Sequence, residues 1–281
     1  MTTKQYYFLT GLPRSGNTLL AALLNQNKDI YVSPLSPLPE VLFQLENIKE
    51  TNENTLRNVE QRVRVQECMS TISSVFYSNI KSKVIIDRNK SWGSPVHLPL
   101  IKNFINPRPK IIYTVRNITD IIASYINLDI KFFKDEYFSG ELYSSFYLND
   151  NDGMADYIMR LNGPIDSALC NLANCLKEEN KKYIHIVEYD DLVKNPSTTM
   201  QNIYKFLELE DYNHNFDNIK KIELDDDSAI GLPPNMHKVG GSIEKSKTYA
   251  NDVLSEYSIN KYSNMEFWRK NSLLKLKGDK F

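Results

Sequence analysis

Apolar residues along this chain fall into two patterns, short uninterrupted runs and longer stretches at helical spacing. The runs are Tyr6-Tyr7-Phe8-Leu9, Val84-Ile85-Ile86, Ile111-Ile112-Tyr113-Thr114-Val115 and Ile184-His185-Ile186-Val187. Unbroken runs of this length suit strands buried on both faces, as in a parallel sheet. His185, in the middle of the fourth run, reads as a core residue. Helical spacing follows each run. It covers Leu19 to Leu24, Thr55 to Ile80, Pro95 to Phe104, Thr119 to Tyr125, Met154 to Leu176, Ile203 to Leu207 and Met265 to Leu276. In the second of these, Leu56, Val59, Val63, Val65, Met69, Ile72, Val75 and Phe76 define one broad packing face. In the fifth, Ile158, Leu161, Ala168, Leu169 and Leu172 point inward. The alternation predicts an α/β fold of three layers around a central, mainly parallel sheet of four to five strands, with helical insertions. Asp29 to Pro39 is punctuated by prolines and reads as an extended segment crossing the carboxyl ends of the strands. Ser33, Ser36 and Glu40 would then look into a site, or Glu40 would simply open the next helix.

Composition narrows the class. A chain of 281 residues with 41% hydrophobic and 11% aromatic content can fill a sizeable core, and one domain over residues 1–281 is the expectation. A balance of 34 basic and 35 acidic residues gives a net charge of -1, with no global attraction to nucleic acid or an acidic membrane. Any anion site must therefore be local. Cys68, Cys170 and Cys175 show no C-x-x-C spacing, so neither zinc nor a disulfide framework is expected, and Cys170 and Cys175 read as core residues. No metal site is predicted. The N-terminus lacks the pattern of a signal peptide, and no apolar run approaches the roughly 18 to 20 residues of a membrane span. A cytoplasmic protein is expected. Between residues 128 and 152, Phe132, Phe133, Tyr137, Phe138, Tyr143, Phe146 and Tyr147 form an aromatic-rich segment. It is either a lid over a pocket or an inserted helical pair.

Candidate chemistry begins at Gly11-Leu12-Pro13-Arg14-Ser15-Gly16-Asn17-Thr18, placed between the first strand and the first helix. This is nearly a P-loop, G-x-x-x-x-G-K-[ST], where backbone N–H groups and a helix N-terminus cradle phosphate. Asn17 stands in the position of the lysine that reaches a nucleoside triphosphate, and the cation has moved to Arg14. The second buried run ends in Asp87, followed by Arg88-Asn89-Lys90-Ser91-Trp92. Ligands in open α/β sheets sit at the carboxyl ends of strands, and apolar residues running into an Asp also describe a Walker-B strand. His97, in the first turn of the next helix, reads as a surface or capping residue. The third run ends at Arg116-Asn117, with Ser124 eight residues on. Further along come Tyr189-Asp190-Asp191-Leu192-Val193-Lys194-Asn195-Pro196 and, near the C-terminus, Gly231-Leu232-Pro233-Pro234 and His237-Lys238-Val239-Gly240-Gly241-Ser242.

The ordered set, from residue 8 to about residue 243, resembles the sulfotransferases, and the DRNKSW and HKVGG segments are most similar to a broad bacterial group. They differ from the animal cytosolic enzymes, whose loop reads R-K-G and whose catalytic His follows the second strand. The resemblance implies a P-loop-like fold and 3′-phosphoadenosine 5′-phosphosulfate as sulfuryl donor, leaving adenosine 3′,5′-bisphosphate. Pro13, Arg14, Ser15, Gly16, Asn17 and Thr18 would hold the 5′-phosphosulfate. Arg116 and Ser124 would hold the 3′-phosphate, with the fork of the arginine gripping it and the serine on the same side two helical turns on. Tyr189 would lie near the nucleotide, and His237, Lys238, Val239, Gly240 and Gly241 would close over the 3′-phosphate. For catalysis, Arg14 and Lys90 supply positive potential at the leaving oxygen. Asp87 is the first candidate for general base, His237 the second and Glu40 the third. The acceptor would be a small molecule, a lipid or a carbohydrate. A P-loop kinase-like phosphotransferase and a non-catalytic adenosine-bisphosphate-binding relative remain alternatives.

Overall fold

The computed structural model describes residues 4–127, 150–222, 239–243 and 249–269. By packing, the described parts of Met1–Leu12, Gly16–Val115 and Ala168–Glu244 form one compact unit. Those of Pro13–Ser15, Arg116–Ser167 and Lys245–Phe281 form a second.

The first unit is built on five parallel strands: β1 (Gln5–Gly11), β2 (Ile30–Leu35), β3 (Val84–Arg88), β4 (Ile111–Val115) and β5 (Ile184–Glu188). Their order across the sheet is β2-β3-β1-β4-β5. Successive side chains of a strand point to opposite faces, and the sheet uses this to feed two cores. Tyr7, Leu9, Ile86 and Ile112 enter one, with the helices α1 (Asn17–Leu24), α9 (Tyr189–Lys194) and α10 (Pro196–Leu207). Phe8, Ile85 and Ile111 enter the other, with α2 (Leu38–Thr51), α4 (Val59–Phe76) and α5 (His97–Leu100). Both faces are covered, which is why β3 and β4 are buried at every position. This is the three-layer α/β arrangement predicted, with five strands. The fifth is β2, at one edge.

Several elements differ from the sequence expectation. Residues 30–35 pair with β3 rather than crossing the strand ends, and Pro34 is tolerated because β2 is an edge strand with an irregular register after Val32. Ser33 and the Ser36 backbone take part in that pairing: the Arg88 N–H donates to Ser33 Oγ at 2.9 Å, and the Ser36 N–H donates to the Arg88 carbonyl at 2.8 Å, while Ser36 Oγ accepts the Leu38 N–H at 3.1 Å. The helix predicted over 55–80 is broken at Asn58. Asn58 leaves helical geometry and caps α4 by accepting from the Glu60 N–H, ending the short α3 (Glu53–Arg57). Of its supposed packing face Met69 is buried, whereas Leu56, Val59, Val63 and Val75 are 45–76% exposed. Arg57, Arg62 and Arg64 lie in exposed pairs with Glu53, Glu50 and Glu60. After α5 the chain widens into a π-type turn, Ile101–Ile105. Cys170 is exposed, and only Cys175 is buried. His185 stacks on Phe206 with ring centroids 5.1 Å apart.

The second unit contains α6 (Ile118–Ile126), α7 (Asn151–Ile158), the first turn of α8 (Pro164–Cys175), α11 (Ala250–Val253) and α12 (Glu256–Tyr262). The single helix expected over 154–176 is therefore two, separated around Gly163, and Leu161 is exposed. Asp152 accepts from Ser255 Oγ at 2.7 Å and from Ser258 Oγ at 2.6 Å, tying α7 to α12. Residues 263–265 and 267–269 are 3-10 turns rather than the start of an α-helix. Residues 128–149, which carry the aromatic segment, lie outside the described residues, and 150–152 open α7. Among the described residues no helix is long and apolar enough to cross a membrane.

Candidate active site

In the first unit β1 runs into the loop at Gly11, which lies so close to β4 that a Cβ there would stand 2.1 Å from Thr114 Oγ1. Gly16 caps α1 in the left-handed region (φ 84°). It also faces the ring of Tyr189, which would lie 2.8 Å from a Cβ at that position. No side chain caps α1, so the positive end of its dipole carries no side-chain cap, an arrangement suited to an anion. Asn17, in the P-loop lysine position, turns to β4 and donates from Nδ2 to Thr114 Oγ1 at 3.1 Å. Thr18 Oγ1 lies 3.4 Å from the guanidinium of Arg88. Arg88 ends β3 and is 3% exposed, a buried cation beside the Lys90 that the sequence put forward. What marks it in the sequence is its place as the last residue of a buried strand, where a charged side chain needs an anionic partner.

Asp87, one residue earlier, is 1% exposed. Its Oδ1 accepts the Trp92 indole N–H at 2.7 Å, and its Oδ2 accepts the Tyr77 hydroxyl. Burial raises its pKa to about 6, against the lowering effect of these donors. A carboxylate so enclosed holds Tyr77 and Trp92 in place, and both its oxygens are engaged. Trp92 closes the DRNKSW segment and Tyr77 lies in no motif, and the sequence marks neither as a partner of Asp87. Beside it, Asn89 donates from Nδ2 to the Ser36 carbonyl at 2.6 Å and to Glu40 Oε2 at 3.4 Å. Glu40 is exposed in the first turn of α2. Lys90 is exposed, and its carbonyl accepts from Thr10 Oγ1 at 3.1 Å. The His97 N–H donates to Ser94 Oγ at 3.0 Å, so the serine is the cap and His97 is the residue capped, and burial lowers the His97 pKa.

The second unit brings together three predicted residues. Arg14 Nε donates to Ser124 Oγ at 3.1 Å, and Arg116 donates to the Arg14 carbonyl at 3.2 Å. Arg14 is itself left-handed (φ 58°). With Gly16 this gives two left-handed residues in the loop. Arg116 and Ser124 are largely buried, at 6% and 9% exposure. Asn117 caps α6 by accepting from the Asp120 N–H. In the same unit Ser15 is buried and Pro13 half-buried.

Val239 and Gly241 form β7 (Val239–Gly241), antiparallel to β6 (Ile219–Ile222), and Val239 packs against the core around α1. Of Gly240 only the backbone is described. His237, Lys238 and Gly231 to Pro234 lie outside the described residues. Among the described residues no group of three or more His, Cys, Asp or Glu is placed to hold a metal ion.

A parallel sheet whose first strand passes through a glycine loop into a helix N-terminus without a side-chain cap defines an α/β protein with the strand-loop-helix of a P-loop but not its lysine. The family model of the sulfotransferase domain matches residues 4–248, and the chain belongs to that family. No curated protein sequence matches the chain significantly. Among solved structures it is similar to the sulfotransferase domain from the curacin biosynthetic pathway, at 18% identity over 75% of both chains and a TM-score of 0.48. It is also similar to the sulfotransferase domain of the Synechococcus PCC 7002 olefin synthase, at 20% identity over 75% of this chain and 76% of that one, TM-score 0.47. A third is retinol dehydratase in complex with androsterone and inactive cofactor PAP, at 15% identity over 98% and 82%, TM-score 0.49.

Proposed function

We propose that this sulfotransferase moves the sulfuryl group of 3′-phosphoadenosine 5′-phosphosulfate to a hydroxyl or amine of a small-molecule acceptor. The observation that carries the reading is the cluster of Arg14, Ser124 and Arg116, in which two arginines and a hydroxyl are gathered by residues 110 positions apart. A donor with phosphate groups at both ends of its ribose uses such a cluster. ATP has no 3′-phosphate to place there. The α1 N-terminus, Thr18 and Arg88 suit the 5′ end, where charge is fixed by N–H groups and a buried guanidinium.

In the transfer, the bond from sulfur to the phosphate oxygen breaks as a bond from sulfur to the acceptor oxygen or nitrogen forms. Negative charge grows on the leaving oxygen, and Arg14 is a cation suited to stabilise it. The acceptor proton needs a base. Asp87 has both oxygens engaged by Tyr77 and Trp92, so the role passes to Glu40, an exposed carboxylate at the end of β3 with Asn89 beside it. Asp87 then acts by fixing Tyr77 and Trp92 under that end of the sheet. The same enclosure speaks against a Walker-B role, in which the acid must reach a metal ion.

Calorimetric binding of adenosine 3′,5′-bisphosphate, compared with ATP and magnesium, tests the donor. Tighter binding of the bisphosphate, weakened in Arg116→Ala, is expected. Preference for ATP with magnesium would overturn the reading, as would tight bisphosphate binding without sulfuryl transfer to any of a panel of alcohols, phenols and amines.

A further inference from the structure

The C-terminal part of the second unit holds the start of α6 by two backbone contacts. Glu266 Oε1 accepts the N–H of Ile118, the first residue of α6, at 2.9 Å, and its Oε2 is engaged by Arg269. Asp120 Oδ1 accepts the N–H of Ala250 at 3.1 Å. Glu266 is 9% exposed, Ile118 is fully buried and Thr119 is 4% exposed, so water has little access to the Ile118 N–H. Four N–H groups at the start of any helix lack internal partners. In α6, Asn117 satisfies that of Asp120 and Glu266 satisfies that of Ile118. The carboxylate also places negative charge at the positive end of the helix. Arg116 immediately precedes this turn and Ser124 lies on the same helix.

We infer that Glu266 is a positioning residue for the 3′-phosphate subsite, fixing the first turn of α6 and thereby the placement of Arg116 and Ser124. This rests on the assignment of those two residues to the 3′-phosphate. Glu266 does not touch the nucleotide. The Ile118 N–H, already satisfied by a carboxylate, is not available to the phosphate. The C-terminal segment and the nucleotide site are thus coupled through one helix end.

The test compares adenosine 3′,5′-bisphosphate with adenosine 5′-monophosphate, which lacks the 3′-phosphate, by calorimetry on the full chain. Glu266→Ala leaves the Ile118 N–H unsatisfied, and should weaken the bisphosphate about tenfold while changing the monophosphate less than about twofold. Glu266→Gln keeps an acceptor oxygen and should stay within about threefold of the wild type. Glu266→Asp is shorter by one methylene and should behave as Glu266→Ala, which keeps the test available if the alanine variant fails to fold. An unchanged ratio of the two affinities in the folded alanine or aspartate variant would overturn the inference, and so would an equal loss for both ligands. If the wild type itself does not distinguish the two nucleotides, the subsite assignment fails before Glu266 is tested.

Discussion

Arg14 donates its Nε to the hydroxyl of Ser124 at 3.1 Å, joining the loop after β1 to the helix after β4. The backbone of Arg14 is left-handed, a conformation that costs of order 1 kcal/mol or more outside glycine and persists only where surroundings enforce it. Ser124 and Arg116 supply that enforcement. A cation held in this way is oriented before the donor arrives, so little reorganisation is needed when charge develops on the leaving oxygen. Arg14→Ala should therefore lower kcat by about a hundredfold to a thousandfold in sulfuryl transfer, with a much smaller effect on KM for the donor. Steady-state kinetics with the phosphosulfate donor decides this. A change confined to KM would remove Arg14 from the transition state.

Arg88 offers a separate test, on the first unit. Its guanidinium is buried beside Thr18 Oγ1. Arg88→Lys keeps the charge but loses the planar fork, and Arg88→Ala loses both. Bisphosphate affinity and turnover should fall in the order wild type, lysine, alanine, with Lys90→Ala well above Arg88→Ala. Calorimetry and initial rates on the three variants provide the measurement. Equal losses at positions 88 and 90 would return the leading role to Lys90.

The buried acid predicts a dependence of stability on pH. The folded-state pKa of Asp87 is raised to about 6 by burial, above the value of an unfolded aspartate. The native carboxyl thus binds its proton more tightly than the unfolded one, and stability falls as pH rises from about 4 to about 6. The difference in pKa corresponds to about 3 kcal/mol lost once pH exceeds 6. Asp87→Asn cannot ionise, but it gives Tyr77 and Trp92 only one acceptor oxygen in place of two. The advantage of wild type over Asp87→Asn in urea unfolding should therefore be largest near pH 4 and shrink by pH 7. An advantage that grows with pH would mean that the two donors outweigh desolvation.

Much of this architecture is written locally. The β1 run, the glycine loop and α1 follow one another within 20 residues, and β4, Arg116 and α6 do the same. Strand, turn and cap residues there all favour one structure. Where readings failed, a tertiary effect overrode the local pattern. Pro34 made β2 look like a loop, because the sequence does not say that the segment lies at a sheet edge. The apolar periodicity of residues 56–76 suggested one buried face, but Asn58 breaks it and the sheet covers only part of α4. Asp87 looked like a base because its motif gives its position, whereas Tyr77 and Trp92, which enclose it, are recognisable as partners only in three dimensions. Glu266 is further still from any motif. Its contact with Ile118 spans 148 residues of sequence.

Gly16 gives the sharpest separation of backbone from side-chain effects. Its φ of 84° disfavours any side chain, and a Cβ would stand 2.8 Å from the Tyr189 ring and 3.7 Å from Leu192. Gly16→Ala therefore meets two penalties, about 1 kcal/mol for the left-handed backbone and a further 1 to 3 kcal/mol for the overlap. Only the second depends on Tyr189. In the Tyr189→Ala background the ring is gone, so Gly16→Ala should cost roughly the backbone term alone. A double-mutant cycle on chemical unfolding should show a coupling of at least about 1 kcal/mol between the two positions. Bisphosphate binding should remain impaired in the double variant, since the loop at the α1 N-terminus still departs from its native turn. If the two costs simply add, Tyr189 does not press on the loop, and the close approach of its ring to Gly16 has no energetic consequence.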